Sequence, residues 1–295
     1  MTAILTADHL SYRYRDALAL DDVSLHLATP GIHGLLGRNG SGKTTLMSLA
    51  SGLRRPTSGD IRLNGQPIFE NYAATSDICI IRETGDTTSE WTESIGDGLA
   101  LARDMRPHWD DGYANKLLDR FELSVKRKVD ELSRGERAKF ACILGLAARA
   151  PLTMFDESYL GMDAPARYDF YDGLLEDFMA HPRLILVSSH HIDEIAKLFE
   201  EVIIIDHGRL LLHESAEALR GRGVTVTGAA ALVDGLVAGQ NVLSERSLGP
   251  TKSVALYDVS DDFRGKAKAA GLETSLLPIQ DIFVHLTAKR GKEVS

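Results

Sequence analysis

Gly37-Arg38-Asn39-Gly40-Ser41-Gly42-Lys43-Thr44 decides the reading of this chain. The run fits G-x-x-x-x-G-K-[ST], the phosphate-binding loop of nucleotide hydrolases. Its flanks agree with that. Ile32-His33-Gly34-Leu35-Leu36 before it reads as a short strand, and Thr45 to Ser51 after it reads as a helix without Pro or Gly. Strand, glycine loop and helix start aim successive backbone N–H groups at one concave spot. The helix N-terminus adds partial positive charge there. Lys43 is placed to reach terminal phosphates, and the Thr44 hydroxyl to bind Mg2+. At average residue usage a chance match in a chain of this length has a probability of about one per cent. The run predicts nucleoside triphosphate binding but does not by itself choose among nucleotide enzymes.

The rest of the composition is that of an ordinary globular protein. The chain has 295 residues, long enough for one large domain and a smaller one, with 44% hydrophobic and 25% charged residues. The 42 acidic residues outnumber the 33 basic ones, for a net charge of −9, which argues against nucleic acid as a partner. No apolar run approaches the ~20 residues of a membrane helix. Met1-Thr2-Ala3-Ile4 does not read as the basic start of a signal peptide. Cys79 and Cys142 sit among apolar neighbours without metal-ligand spacing and read as buried free thiols of a reducing cytoplasm.

Val23, Leu25 and Leu27 alternate with polar residues, as in a half-buried strand. Ser58 to Leu63 reads as another strand, followed by the turn Asn64-Gly65. Ile78 to Ile81, Leu152 to Phe155, Leu184 to Val187 and Val202 to Ile205 are short apolar runs suited to buried strands. Residues 93–150 read as helical, with Ala138 to Ala148 nearly all apolar. Strands alternating with helices predict a parallel sheet with both faces covered, whose ligands bind at the carboxyl ends of strands. The glycine loop, Asp156-Glu157 and His190 all fall at such ends. Beyond about Arg220 the order strand, helix, strand, strand, helix, strand predicts a small ferredoxin-like α/β unit closed by a helix at 279–288.

A phosphate loop needs an acidic partner, and Asp156, at the end of Leu-Thr-Met-Phe, fits a carboxylate near Mg2+. Glu157 is then free to orient or activate a water for in-line attack on the γ-phosphate. Leu132-Ser133-Arg134-Gly135-Glu136 lies upstream of that strand, and Ser133 with Glu136 also spells a helix capping box.

In this combination the chain resembles the ATP-binding-cassette (ABC) ATPases, over about residues 4 to 220. Leu132 to Glu136 is similar to their LSGGQ signature, with Arg134 in place of the first Gly and Glu136 in place of Gln. Tyr14 falls where the family stacks an aromatic on adenine, Gly161-Met162-Asp163 resembles its D-loop, and Ser189-His190 its switch histidine. Glu83 takes the place of the Gln that usually follows the strand at 78–81, and Ser158 that of a frequent Pro.

The resemblance implies a P-loop α/β core with an N-terminal antiparallel β-subdomain and a helical insertion near 84–150. It places an ABC ATPase domain at 1–220 and leaves a small C-terminal α/β appendage at 221–295. It implies ATP and Mg2+ as cofactors and a head-to-tail homodimer that sandwiches two ATP molecules. Asn39, Gly40, Ser41, Gly42, Lys43, Thr44 and Thr45 would hold the phosphates and Mg2+, and Asp156 the metal. Glu157 would be the base, with Glu83 at metal and water and His190 at the γ-phosphate. Ser133 and Gly135 would act across the dimer, and Asp163 would link the two sites. The implied function is that of an ATPase subunit, peripheral on the cytoplasmic face of the membrane, driving a separately encoded multi-span permease in an exporter-like system. Its expected contact with that permease is the polar stretch Thr84 to Glu90 with the adjacent helices. The alternative is a soluble cassette ATPase of translation or DNA repair, which would usually carry a second cassette or a long coiled coil.

Overall fold

The computed structural model describes residues 3–82, 93–189, 192–260 and 262–293. By packing, the chain divides into two compact units. The first runs up to the strand ending at Ser189 and takes in Leu198–His213. The second holds the short helix Ile192–Ile195 and everything from Glu214. The sequence reading sets its boundary at 220/221 and assigns no residue before that to the appendage.

The first unit has two sheets. β1 (Leu5–Tyr14), β2 (Ala17–Leu27), β4 (Ser58–Leu63) and β5 (Gln66–Pro67) form an antiparallel sheet in the order β2-β1-β4-β5. Asn64 and Gly65, both at positive φ (51° and 76°), make the tight turn between β4 and β5 that their sequence calls for. The second sheet has the order β10-β9-β3-β8-β7-β6, built from β3 (Gly31–Leu36), β6 (Ile78–Arg82), β7 (Leu152–Asp156), β8 (Leu184–Ser189), β9 (Glu201–Asp206) and β10 (Arg209–Ser215). β9-β3-β8-β7-β6 are parallel throughout. β3, β7 and β8 are buried at every residue, which explains their continuous apolar runs.

Helices flank these strands: α1 (Lys43–Ala50), α2 (Tyr72–Thr75), α3 (Ile95–Met105), α4 (Asp111–Arg120), α5 (Arg134–Ala147) and α6 (Ala164–Ala180). A Cβ at Gly145 of α5 would stand 2.6 Å from Ile81 and 2.7 Å from Phe155, so only glycine lets α5 lie this close to β6 and β7. Asp177 of α6 is buried and receives Arg183 at 2.7 Å and Arg149 at 3.2 Å. Removing one partner of such a buried pair costs about 3–5 kcal/mol. One core, including Leu35, Leu46, Met154, Leu186 and Ile203, fills the space between elements, each side chain worth about 1.5–3 kcal/mol on burial. Cys79 and Cys142 are buried free thiols, and burial pushes Cys142 up to about 12, out of reach of thiolate chemistry.

The second unit contains α7 (Ile192–Ile195), α8 (Ala216–Gly221), β11 (Gly223–Ala229), α9 (Ala230–Val237), β12 (Val242–Leu248), β13 (Thr251–Tyr257), α10 (Phe263–Ala269), β14 (Glu273–Leu276) and α11 (Ile279–Glu293). Its sheet runs β12-β13-β11-β14 with every neighbour antiparallel. That is the arrangement expected from the β-α-β-β-α-β order. Val224, Val226, Val254 and Leu256 meet Phe263 of α10 and Val233 of α9 in a separate small core. α11 packs on α7 and α8. Among the described residues no helix is long and apolar enough to cross a membrane.

Candidate functional site

The glycine loop joins β3 to α1, at the carboxyl edge of the parallel sheet. Gly42 is the N-cap of α1 at φ 113°, and no side chain caps the helix. A Cβ there would stand 2.8 Å from Ala19 O. The first-turn N–H groups of α1 therefore have no internal acceptor and open toward a ligand. A cleft of about 260 Å³ lies over them, lined by Gly40 to Thr45 with Tyr14 and Ala19. Tyr14 thus lines the cleft over the glycine loop. Its ring also carries the Arg54 guanidinium 4.8 Å above its centroid, whereas the Tyr12 hydroxyl accepts a hydrogen bond from Arg54 at 3.1 Å. The buried Ser41 hydroxyl has no partner among the described residues, and Thr44 is exposed.

Lys43 is 95% buried at its side chain. Its Nζ donates to Gly37 O at 2.8 Å and lies 3.3 Å from Glu157 Oε1. The loop and the carboxyl end of β7, more than a hundred residues apart in sequence, therefore meet through one cation. Asp156 is buried, and its Oδ1 accepts from the Ser188 hydroxyl at 2.6 Å. Glu157 has left β7 with a left-handed backbone, φ 50°. An ammonium, an exposed hydroxyl at a helix start and a buried carboxylate form a donor set suited to a magnesium-bound triphosphate. Glu83 and His190, and the stretch Thr84 to Glu90, lie outside the described residues.

Ser133 is the N-cap of α5, which begins at Arg134, four residues before the helix expected from Ala138. The Ser133 hydroxyl accepts from Glu136 N–H at 3.2 Å, and Glu136 accepts from Ser133 N–H at 2.9 Å. The capping box is therefore real. It does not exclude contact with phosphate, because the hydroxyl can turn its single proton from the Glu136 carboxylate to another acceptor. A Cβ at Gly135 would stand 3.1 Å from Gly161 O, so the signature segment lies against the D-loop-like turn. Asp163 caps α6, accepting from Ala166 N–H at 3.1 Å.

The Ser133 N–H, then its hydroxyl and then Arg127, hold Glu136 below its usual carboxylate range. A depressed folded value means that this stabilisation is complete above the ordinary pKa of 4.5 and lost as pH falls through the folded value. Glu136→Ala is expected to cost about 0.5–1 kcal/mol at neutral pH. In thermal melts against the parent the difference should vanish in acid.

Ser188 is a site residue for which sequence reasoning assigns no role. Its signal was a hydroxyl at the end of the apolar run Leu-Ile-Leu-Val.

Residues 20–159 match the family model described as ABC transporter. The ABC transporter ATP-binding protein YtrB of Bacillus subtilis is 31% identical over 192 residues, and the match spans 65% of each chain. A Halobacterium salinarum protein named for an ABC transporter ATP-binding role is 30% identical over 223 residues, covering 74% of this chain and 96% of that one. A solved dimeric ATP-binding cassette, bound to ADP and phosphate after hydrolysis, superposes with a TM-score of 0.62 at 18% identity, covering 72% of this chain and 98% of its own.

Proposed function

The chain belongs to the ABC ATPase family, the ATP-binding subunits of ABC transporters, and on that premise we propose how its residues divide the work. The loop N–H groups from Asn39 to Thr45 and Lys43 hold the triphosphate, and Tyr14 stacks on adenine. Thr44 and Asp156 would hold Mg2+, with Glu83 as a further oxygen ligand. When bound, the ion would offset negative charge that develops on the phosphates in transfer. Glu157 takes the proton of the attacking water, and His190 contacts the γ-phosphate. The observation that carries this reading is the 3.3 Å pair between Lys43 and Glu157, which puts the phosphate-side cation beside the carboxylate base.

Two copies close over two nucleotides, each lending Ser133 and Gly135 to the other's γ-phosphate, with Asp163 linking the sites. The dimeric solved cassette supports this reading. Such a dimer acts on a separate membrane permease at the cytoplasmic face, in an exporter-like system. Transport rather than translation or repair is supported by the relatives' names.

Mixing tests the shared sites. Lys43→Ala disables a subunit's own loop, and Ser133→Arg disables only what it lends. A mixed dimer keeps one whole composite site, so equal mixing should restore about a quarter of the parental ATPase rate, from two variants that are inactive alone. No gain on mixing, with both variants folded, would show that Ser133 serves its own subunit. Co-purification with a multi-span membrane protein, rather than with ribosomes or DNA, tests the transport role.

A further inference from the structure

β7 and β8 run parallel with Asp156 opposite Ser188. Ser188 is completely buried, so its hydroxyl must find protein partners. It finds two, one on each of the adjacent acidic residues. It donates to Asp156 Oδ1 at 2.6 Å, and it accepts the backbone N–H of Glu157 at 3.0 Å. A hydroxyl has a single proton, and here that proton is committed to Asp156.

Both bonds have consequences at the site. The first fixes the rotation of the Asp156 carboxylate and occupies Oδ1, and Oδ2 receives no donor from the described residues. The second holds the peptide of Glu157 in its left-handed turn at φ 50°, a conformation that is strained for a non-glycine residue. That turn carries Glu157 from the strand to within reach of Lys43. Ser188 is itself steadied, because the Tyr159 hydroxyl donates to its carbonyl at 3.4 Å.

We propose that Ser188 is the positioning residue of the metal side of this site: one buried hydroxyl sets the rotation of Asp156 toward a magnesium-bound nucleotide and the turn that presents Glu157. It acts only through these two neighbours. The proposal rests on the assignment of Asp156 to the metal.

The test measures metal affinity apart from turnover. Mn2+ binding to the ADP complex is followed by electron paramagnetic resonance, and fluorescent ADP binding is measured separately in EDTA. Ser188→Ala is expected to weaken Mn2+ about tenfold or more, with the EDTA affinity unchanged. Ser188→Thr, which keeps the donor, should recover most of the loss. Unchanged Mn2+ affinity in Ser188→Ala, or a parallel fall in the EDTA affinity, would overturn the proposal. If Ser188→Ala does not fold, Ser188→Cys, which keeps the bulk and weakens the donor, is judged by the same two measurements. A parent protein whose ADP affinity ignores Mn2+ altogether would instead refute the assignment of Asp156.

Discussion

Glu157→Gln is expected to bind ATP with near-parental affinity, to accumulate as a nucleotide-bound dimer, and to hydrolyse ATP about 10²–10⁴-fold more slowly. The substitution is isosteric and leaves the backbone untouched. The Ser188 bond to residue 157 is made by the main-chain N–H, so the left-handed turn at that position survives the change. Lys43 loses an ionic partner at 3.3 Å but keeps its bond to Gly37 O at 2.8 Å, so the loop stays shaped. What disappears is the capacity to take a proton from water. Single-turnover phosphate release gives the rate, and small-angle scattering with saturating Mg-ATP gives the mass. Hydrolysis near the parental rate would remove Glu157 from the role of base. Slow hydrolysis by a species that stays monomeric would count against the shared sites.

The parts of this site that can be read in the sequence are those where local chemistry and tertiary position agree. β3, β7 and β8 are buried on both faces, so apart from His33 and Thr153 they are apolar up to their ends, and each announces its own end with a glycine loop, an acidic pair or serines. The antiparallel strand Ser58–Leu63 is framed by its turn. α6 escapes a reading by periodicity because it mixes Tyr, Asp and Leu around its circumference, although Asp163 as N-cap and Pro165 in the first turn mark its start. β10 escapes because Leu210 to His213 are all half-buried, without the alternation that identifies a strand. The early start of α5 was available in Ser133 and Glu136, whose capping box belongs to the first turn of that helix.

Other features have no local signal. α7 follows directly on the core strand β8, yet it packs with α11, which comes some eighty residues later. Only the tertiary structure decides that. Ser188 is similar: its meaning lies in standing opposite Asp156 in a neighbouring strand, and register between parallel strands is invisible in a single sequence.

Lys43→Ala is expected to reduce ATP affinity at least a hundredfold and with it nearly all hydrolysis. Lys43 touches both halves of the site. It donates to the carbonyl of Gly37, where the loop begins, and it sits 3.3 Å from Glu157, whose side chain is only 15% exposed. Truncation removes the cation that meets the phosphates. It also takes away the ammonium 3.3 Å from Glu157 as a polyanion approaches, which sharpens like-charge repulsion in a partly dry site. Breaking a buried pair in this way costs about 3–5 kcal/mol, or about two to three and a half decades in affinity. Titration with a fluorescent ATP analogue measures it, and an affinity within threefold of the parent would refute the assignment. The comparison with Glu157→Gln is what gives the result its meaning. If Glu157 were only the structural counter-ion of Lys43, neutralising it would damage binding much as removing Lys43 does. If Glu157 is the base, binding is lost in one variant and kept in the other. The double variant should then bind ATP more tightly than Lys43→Ala alone, because the carboxylate that repels the polyanion is gone, while hydrolysing no faster than Glu157→Gln.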